Sequence, residues 1–341
     1  MKVFKNLRYK IQSLLLKKLF ISGVEILRAH DIEVEIEKLQ SIKNPKTRLL
    51  AAEQLLSKNS KNPKVHFEFV KCLHKISDIR QFENMNIYSQ KLMEWLSQTE
   101  LEALRDIEFI QPGTVTGAFG NHYTIEVLLR ANKYGLRPKK KLFMLLPEIE
   151  KLRNPALFSY FEPYINVVRD SGNIHAMKSL ESMLTLPLGF ALPMNEICPY
   201  IDIAANMVEV ERIKLRMDRA IFHLNEKHYD MGKQALRKLG LPGDAWYVTL
   251  HVRESGYHGE GKNHSSEDWR SANPLDYINA CKAITKAGGW VFRMGDPSMT
   301  DLPKIPQVID YANMEIRSDW MDVFLGASCR FLIGTASGYQ R

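Results

Sequence analysis

From residue 24 to residue 97 apolar positions recur three and four apart, in the segments 24–41, 46–58, 63–76 and 81–97. That is the spacing of amphipathic helices. Asn44-Pro45 and Asn62-Pro63 stand at two of the helix starts, where proline lacks only an N–H that the first turn leaves unused. The pattern predicts an α-helical, repeat-like domain over 1–105. Its short paired helices have tetratricopeptide-like dimensions, although the tryptophan, glycine and tyrosine positions of that repeat are not matched.

At residue 107 the period changes. Ile107–Ile110 and Lys141–Leu146 read as short buried strands, separated by a glycine loop, Gly113–Gly120, and a helix from Tyr123 to Tyr134 that Asn121 caps and Gly135 ends. Strand, loop, helix and strand make one βαβ unit. Residues 148–240 read as mostly helical, with an irregular stretch near 187–199 that has room for another strand. A second set opens with Trp246–Val252 and continues through a helix to Lys286, Trp290–Arg293, Val308–Tyr311, a helix over 319–327 that Ser318 caps, and Arg330–Ile333. Alternating strands and helices predict parallel sheets covered on both faces. The expectation is therefore an α/β chain with two Rossmann-like lobes, 106–240 and 241–341, following the helical domain 1–105.

Composition narrows the class. With 341 residues, 45% hydrophobic and 25% charged, the chain is neither disordered nor collagenous. Cys72, Cys198, Cys281 and Cys329 form no CxxC pair, which argues against a structural zinc site or a disulfide framework and points to a reducing cytosol. Residues 1–105 carry +7 of the formal net charge of +8, and the first twenty hold six basic residues and no acid. Phe4, Leu7, Ile11, Leu14, Leu15 and Leu19 interleave with those cations. Such a helix either lies on an anionic membrane surface or packs on the next helix with its lysines in water. The apolar run is broken by Lys17-Lys18, unlike a secretory signal.

The candidate chemistry sits where the strands of the last lobe end. There stand His251-Val-Arg253-Glu254, Arg293-Met-Gly295-Asp296 and Gly334-Thr335-Ala-Ser337-Gly338. Open α/β sheets bind ligands at this edge. Arginine forks match phosphate oxygens, and backbone N–H groups of a glycine-rich loop complete an anion pocket. The glycine loop over Gly113, Gly117 and Gly120 is neither a Walker loop nor a dinucleotide fingerprint. Glu254, His251, His258 and His122 all qualify chemically as a general base, and 256–268 reads as a lid or as a passive loop.

These motifs, together with Arg270-Ser-Ala, Gly289–Asp296 and Ser318-Asp319-Trp-Met-Asp322, resemble a family of bacterial glycosyltransferases distantly similar to the fucosyltransferase superfamily. The resemblance spans about 107–341. It implies a GT-B fold, an inverting transfer, no cofactor, and a nucleotide-sugar donor, GDP-sugar favoured, held by the C-terminal lobe. Arg253 would bind the donor diphosphate, with Glu254 and His251 beside it as catalytic candidates. Arg270, Arg293, Gly295, Thr335, Ser337 and Gly338 would complete the donor site, and Asp296, Tyr311 and Asp319 would border the nucleoside. Gly113, Gly117, Gly120 and His122 would line the cleft from the acceptor lobe. The absence of an Asp-x-Asp triplet accords with leaving-group stabilisation by arginines and helix dipoles. The acceptor would be a surface glycan or glycolipid, met in the cytoplasm or at the inner face of the membrane, with the helical domain open to a protein partner. A lobe of this family would continue beyond Gly338-Tyr-Gln-Arg341, so the expectation is an incomplete second lobe and, with part of the donor site lacking, a chain inactive as it stands. The alternative is a non-catalytic nucleotide-binding scaffold of a polysaccharide assembly complex. Nucleic-acid binding lacks an aromatic–basic motif here.

Overall fold

The computed structural model describes residues 30–76, 78–98, 102–117, 119–136, 140–184, 190–191, 197–198, 201–217, 220–254 and 270–340. The basic stretch 1–20 and the expected lid 256–268, with His258, lie outside them. In order the elements are α1 (His30–Ser41), α2 (Pro45–Lys58), α3 (Pro63–Lys75), α4 (Arg80–Ser97), β1 (Ile107–Phe109), α5 (Gly113–Thr116), α6 (Tyr123–Lys133), β2 (Lys141–Leu145), α7 (Pro155–Phe161), β3 (Ile165–Val168), α8 (Ser171–Leu184), β4 (Phe190–Ala191), β5 (Ile197–Cys198), α9 (Ile201–Lys214), α10 (Glu226–Lys238), β6 (Tyr247–His251), α11 (Ile278–Lys286), β7 (Trp290–Arg293), β8 (Val308–Ile309), α12 (Asp319–Ser328) and β9 (Leu332–Gly334). No helix among the described residues is long and apolar enough to cross a membrane.

The chain divides into two compact units. One holds the residues up to 114 with 124–151 and 162–219, the other 115–123, 152–161 and 220–341. In the first unit the Asn-Pro pairs start helices as expected. The Asn44 side chain accepts from the Lys46 and Thr47 N–H groups, and Asn62 accepts from Lys64, which satisfies donors that the helix cannot use internally. Helices α1–α3 bury Ile36, Leu49, Val65 and Leu73 in one cluster. A second cluster joins Val70, Met85 and Tyr88 of α3 and α4 to Phe109, Phe143 and Leu145 of the parallel sheet β1-β2-β3 and to Met177 of α8. The helical segment and the first sheet therefore share a core. Strand β3 lies in the stretch expected to be mostly helical, and an antiparallel pair, β4 with β5, occupies its irregular middle.

Short strands buried on both faces build the second unit. Its four parallel strands run β8-β7-β6-β9. Val248, Leu250, Val252 and Val291 pack with Cys281 and Ile284 of α11. Tyr247, Phe292 and Met294 pack with Leu236 of α10 and with Met321, Phe324 and Leu325 of α12. Helices thus cover both faces, as parallel strands require. Two local expectations change. A 3-10 turn, Phe119–His122, leads into α6, so Asn121 sits inside that turn, two residues before the helix begins. Ser318 stands at the N-cap of α12, but its side chain makes no capping bond.

Candidate functional site

The carboxyl edge of the second sheet is tied together by backbone. His251 ends β6 opposite Gly334 of β9. Gly334 has φ +154, and a methyl group there would lie 1.8 Å from the His251 carbonyl oxygen, so only glycine fits. One residue on, the Thr335 N–H donates to the same carbonyl at 3.1 Å, while the Thr335 hydroxyl accepts from the Arg253 N–H at 2.7 Å. The Ala272 N–H donates to the Arg253 carbonyl at 3.0 Å. The backbone of Arg253 is held from both sides, by the glycine-rich loop and by the segment after Arg270.

Behind this join runs a series of rings. The His251 imidazole stacks on Tyr339 with centroids 5.5 Å apart, and Tyr339 meets Phe119 at 6.1 Å. Phe119 meets His122 at 5.8 Å, and His122 stacks on Phe161 at 5.9 Å. Gly120 and Gly338 touch through their backbones, a methyl on Gly338 falling 2.4 Å from the Gly120 nitrogen. The glycine loop assigned in the sequence to the acceptor lobe thus packs, through Gly120 and His122, inside the same unit as the Gly-Thr-Ala-Ser-Gly loop. Gly113 belongs to the first unit, at the start of α5, and Gly117 lies in the bend that follows.

Both histidines are electrically quiet. Burial pushes His251 down to about 4, helped by the nearby Arg293 cation and opposed by Asp296. Burial also lowers His122, whose Nδ1 lies 3.0 Å from the Phe119 carbonyl. A carbonyl only accepts, so Nδ1 carries the proton and Nε2 holds a lone pair. Among the described residues His122 Nε2, His251 Nδ1 and Ser337 Oγ are buried without a hydrogen-bond partner. Such atoms cost about 1–3 kcal/mol each and mark places where water or a ligand completes the structure.

Arg293 has a different place from the one expected. Its side chain is 0% exposed. Nη1 donates to Asp310 at 3.1 Å, and Nη2 donates to Glu254 at 3.1 Å and to the Thr300 carbonyl at 2.8 Å. The other Glu254 oxygen accepts from the Thr300 N–H at 3.0 Å and from its hydroxyl at 2.6 Å. The second Asp310 oxygen accepts from the Leu302 N–H at 3.1 Å. A guanidinium shared between two carboxylates and shut off from solvent is an internal brace, unavailable to a donor phosphate. Both Glu254 oxygens are engaged, one by Arg293 and one by Thr300, which ties this carboxylate to the brace.

Tyr311, expected beside the nucleoside, is wholly buried in the core under α12. Its hydroxyl accepts from the Ser318 N–H at 3.0 Å. Gly295, at φ +146, leaves room for the Met299 sulfur, and the Asp296 carboxylate accepts from the Ser298 N–H at 2.8 Å, closing a turn. Asp319 is exposed at the start of α12, its carbonyl accepting from Asn154 at 3.1 Å. Beneath it, burial raises Asp322 to about 6 against the pull of the Tyr311 hydroxyl and Arg317. Asp310, Thr300 and Tyr339 were not singled out in the sequence. Asp310 follows strand β8 and would have been found by the same strand-end rule that found Arg253; Thr300 and Tyr339 carry no such signal. Among the described residues no group of three or more His, Cys, Asp or Glu is gathered to hold a metal.

No family model matches the chain, and no curated protein matches it. Among solved structures, that of E. coli ADP-heptose lps heptosyltransferase II is similar over 68% of this chain and 80% of that one, with 11% identity and a TM-score of 0.39.

Proposed function

We propose that the chain is a glycosyltransferase that moves a sugar from a nucleotide-sugar donor to a surface glycan or glycolipid, with inversion and without a metal. The reading rests on the motif resemblance. The observation that carries it is the hydrogen-bonded join of the His-x-Arg segment to the Gly-Thr-Ala-Ser-Gly loop, with partnerless buried polar atoms around it. In this scheme the bond from the anomeric carbon to the diphosphate breaks, and its electron pair leaves with the diphosphate. Arg253 neutralises that charge, and Thr335, Ser337 and the backbone N–H of Gly338 take up phosphate oxygens. The acceptor oxygen attacks from the opposite face and its proton passes to His251, a neutral imidazole at neutral pH. Arg270, Gly295, Asp296 and Asp319 border the nucleotide, for which a GDP-sugar is favoured. Arg293, Glu254 and Tyr311 support the site from within and do not touch the donor. The basic stretch 1–20 brings the protein to the inner face of an anionic membrane.

A thermal-shift screen of the intact chain against GDP-, UDP-, CMP- and dTDP-sugars tests this. A GDP-sugar is expected to raise the melting temperature, and Arg253→Ala to abolish the rise in a protein that still melts cooperatively without ligand. EDTA is expected to have no effect on transfer. If none of the four donors shifts the protein, the proposal fails. A shift without turnover on any acceptor favours the nucleotide-binding scaffold.

A further inference from the structure

The second unit also has a cavity at the opposite, amino-terminal edge of its sheet. It holds about 720 Å³, within the size range of small-molecule sites. Three elements wall it. Helix α10 contributes Tyr229, Lys233 and Leu236, spaced i, i+4 and i+7 on one face; α12 contributes Phe324 and the end of its last turn; and the start of β6 contributes Ala245, Trp246 and Tyr247. Phe222 and His223 close one side, and Arg330, just before β9, another.

The wall has a consistent chemistry. The Arg330 guanidinium lies 4.9 Å from the Trp246 ring centroid, and the Lys233 ammonium 5.5 Å from that of Tyr229. Among the described residues neither cation makes an ion pair, and no carboxylate lines the cavity. The indole is fixed in place, because Gly289 packs against its six-membered ring so closely that a methyl would lie 2.5 Å away. Gly232 does the same for Phe324, at 2.2 Å. A guanidinium lying on an aromatic face keeps its planar fork for an oxyanion. Flat aromatic walls beside two unneutralised cations suit a ligand that is itself flat at one end and anionic at the other.

We propose that this cavity is a second ligand site, taking an organic phosphate that carries a planar ring, separate from the strand-end site at the carboxyl edge. The proposal does not depend on the glycosyltransferase reading.

The probe is phenyl phosphate, titrated into the intact chain and followed at the Trp246 indole N–H by heteronuclear NMR, the signal assigned with Trp246→Phe. A saturable shift is expected, at least tenfold tighter than with inorganic phosphate or with phenol. The pair Arg330→Gln and Lys233→Gln should weaken binding at least tenfold. Arg330→Lys, which keeps the charge and loses the fork, should weaken it by a smaller factor and serves if the double variant melts early. Arg253→Ala should leave the titration unchanged. Absence of a saturable shift, equal binding of inorganic phosphate, or undiminished affinity in the folded Arg330 variants would overturn the proposal.

Discussion

Gly120 and Gly338 meet backbone to backbone, a methyl on the first falling 2.7 Å from the Cα atom of the second. Two glycine motifs far apart in the chain are thereby locked to each other, and neither residue has a flexible neighbour that could yield.

Gly338→Ala should therefore destabilise the protein by about 1–3 kcal/mol, the range of overpacking, read as a lowered urea midpoint. Gly334→Ala should cost more, since it adds an unfavourable φ to a clash with the His251 carbonyl. Gly243→Ala is the control: nothing lies within 4 Å of its added methyl, and its midpoint should not fall.

Replacing Arg293 by methionine removes the cation between Glu254 and Asp310 and leaves two carboxylates facing each other in a largely buried place. A loss of about 3–5 kcal/mol is expected. In an Asp310→Asn, Glu254→Gln background the same change should cost much less, and denaturant titration of the four variants measures the difference. An equal loss in both backgrounds would show that packing, not charge, sets the value.

The pH dependence divides into two opposing parts. His251 is lowered from 6.5 to about 4, so between those values the unfolded chain binds more protons and its contribution to stability is lost as pH falls. Asp322 is raised from 3.8 to about 6, so the folded chain binds more protons there and its contribution grows as pH falls. Each is worth at most roughly 3–3.5 kcal/mol. His251→Phe should flatten the acid loss below pH 6.5, whereas Asp322→Asn should steepen it. Urea midpoints at pH 7 and near pH 5 separate the two, and identical pH profiles for both variants and the parent chain would contradict both assignments.

At the helix starts, Asn44→Ala and Asn62→Ala should each cost about 1 kcal/mol, the usual worth of an N-cap side chain. Asn44, which accepts two N–H groups where Asn62 accepts one, should lose more. Thermal melts of the single variants check the order.

Much of the architecture was legible because it is periodic. Asn-Pro pairs, three- and four-residue spacing and short, mostly apolar runs such as Tyr247–Leu250 each encode a local geometry that neighbours alone enforce. Strand β3 escaped, since Ile165-Asn-Val-Val168 is four residues long and follows a 3-10 turn. The strand-end rule brought His251, Arg253 and Gly334 onto one edge, but it could not tell that the Arg293 side chain turns into the interior. Arg293 is a brace because Glu254 and Asp310, 39 and 17 residues away, close on it. Nothing in the local sequence around Arg293 records that meeting. Tyr339 was invisible for a related reason: its role comes from the rings of His251 and Phe119, which only the folded chain assembles.

Tyr88 and Met85 of α4 press on the same apolar surface as Phe109 and Phe143 of the first sheet. Cutting the chain at residue 106 to obtain an isolated α/β fragment would strip that sheet of one of its covers and leave an aggregation-prone apolar face in water. Expression boundaries should keep the amino-terminal helices attached. A partner protein that docks on those helices would press on the same packing that holds the sheet.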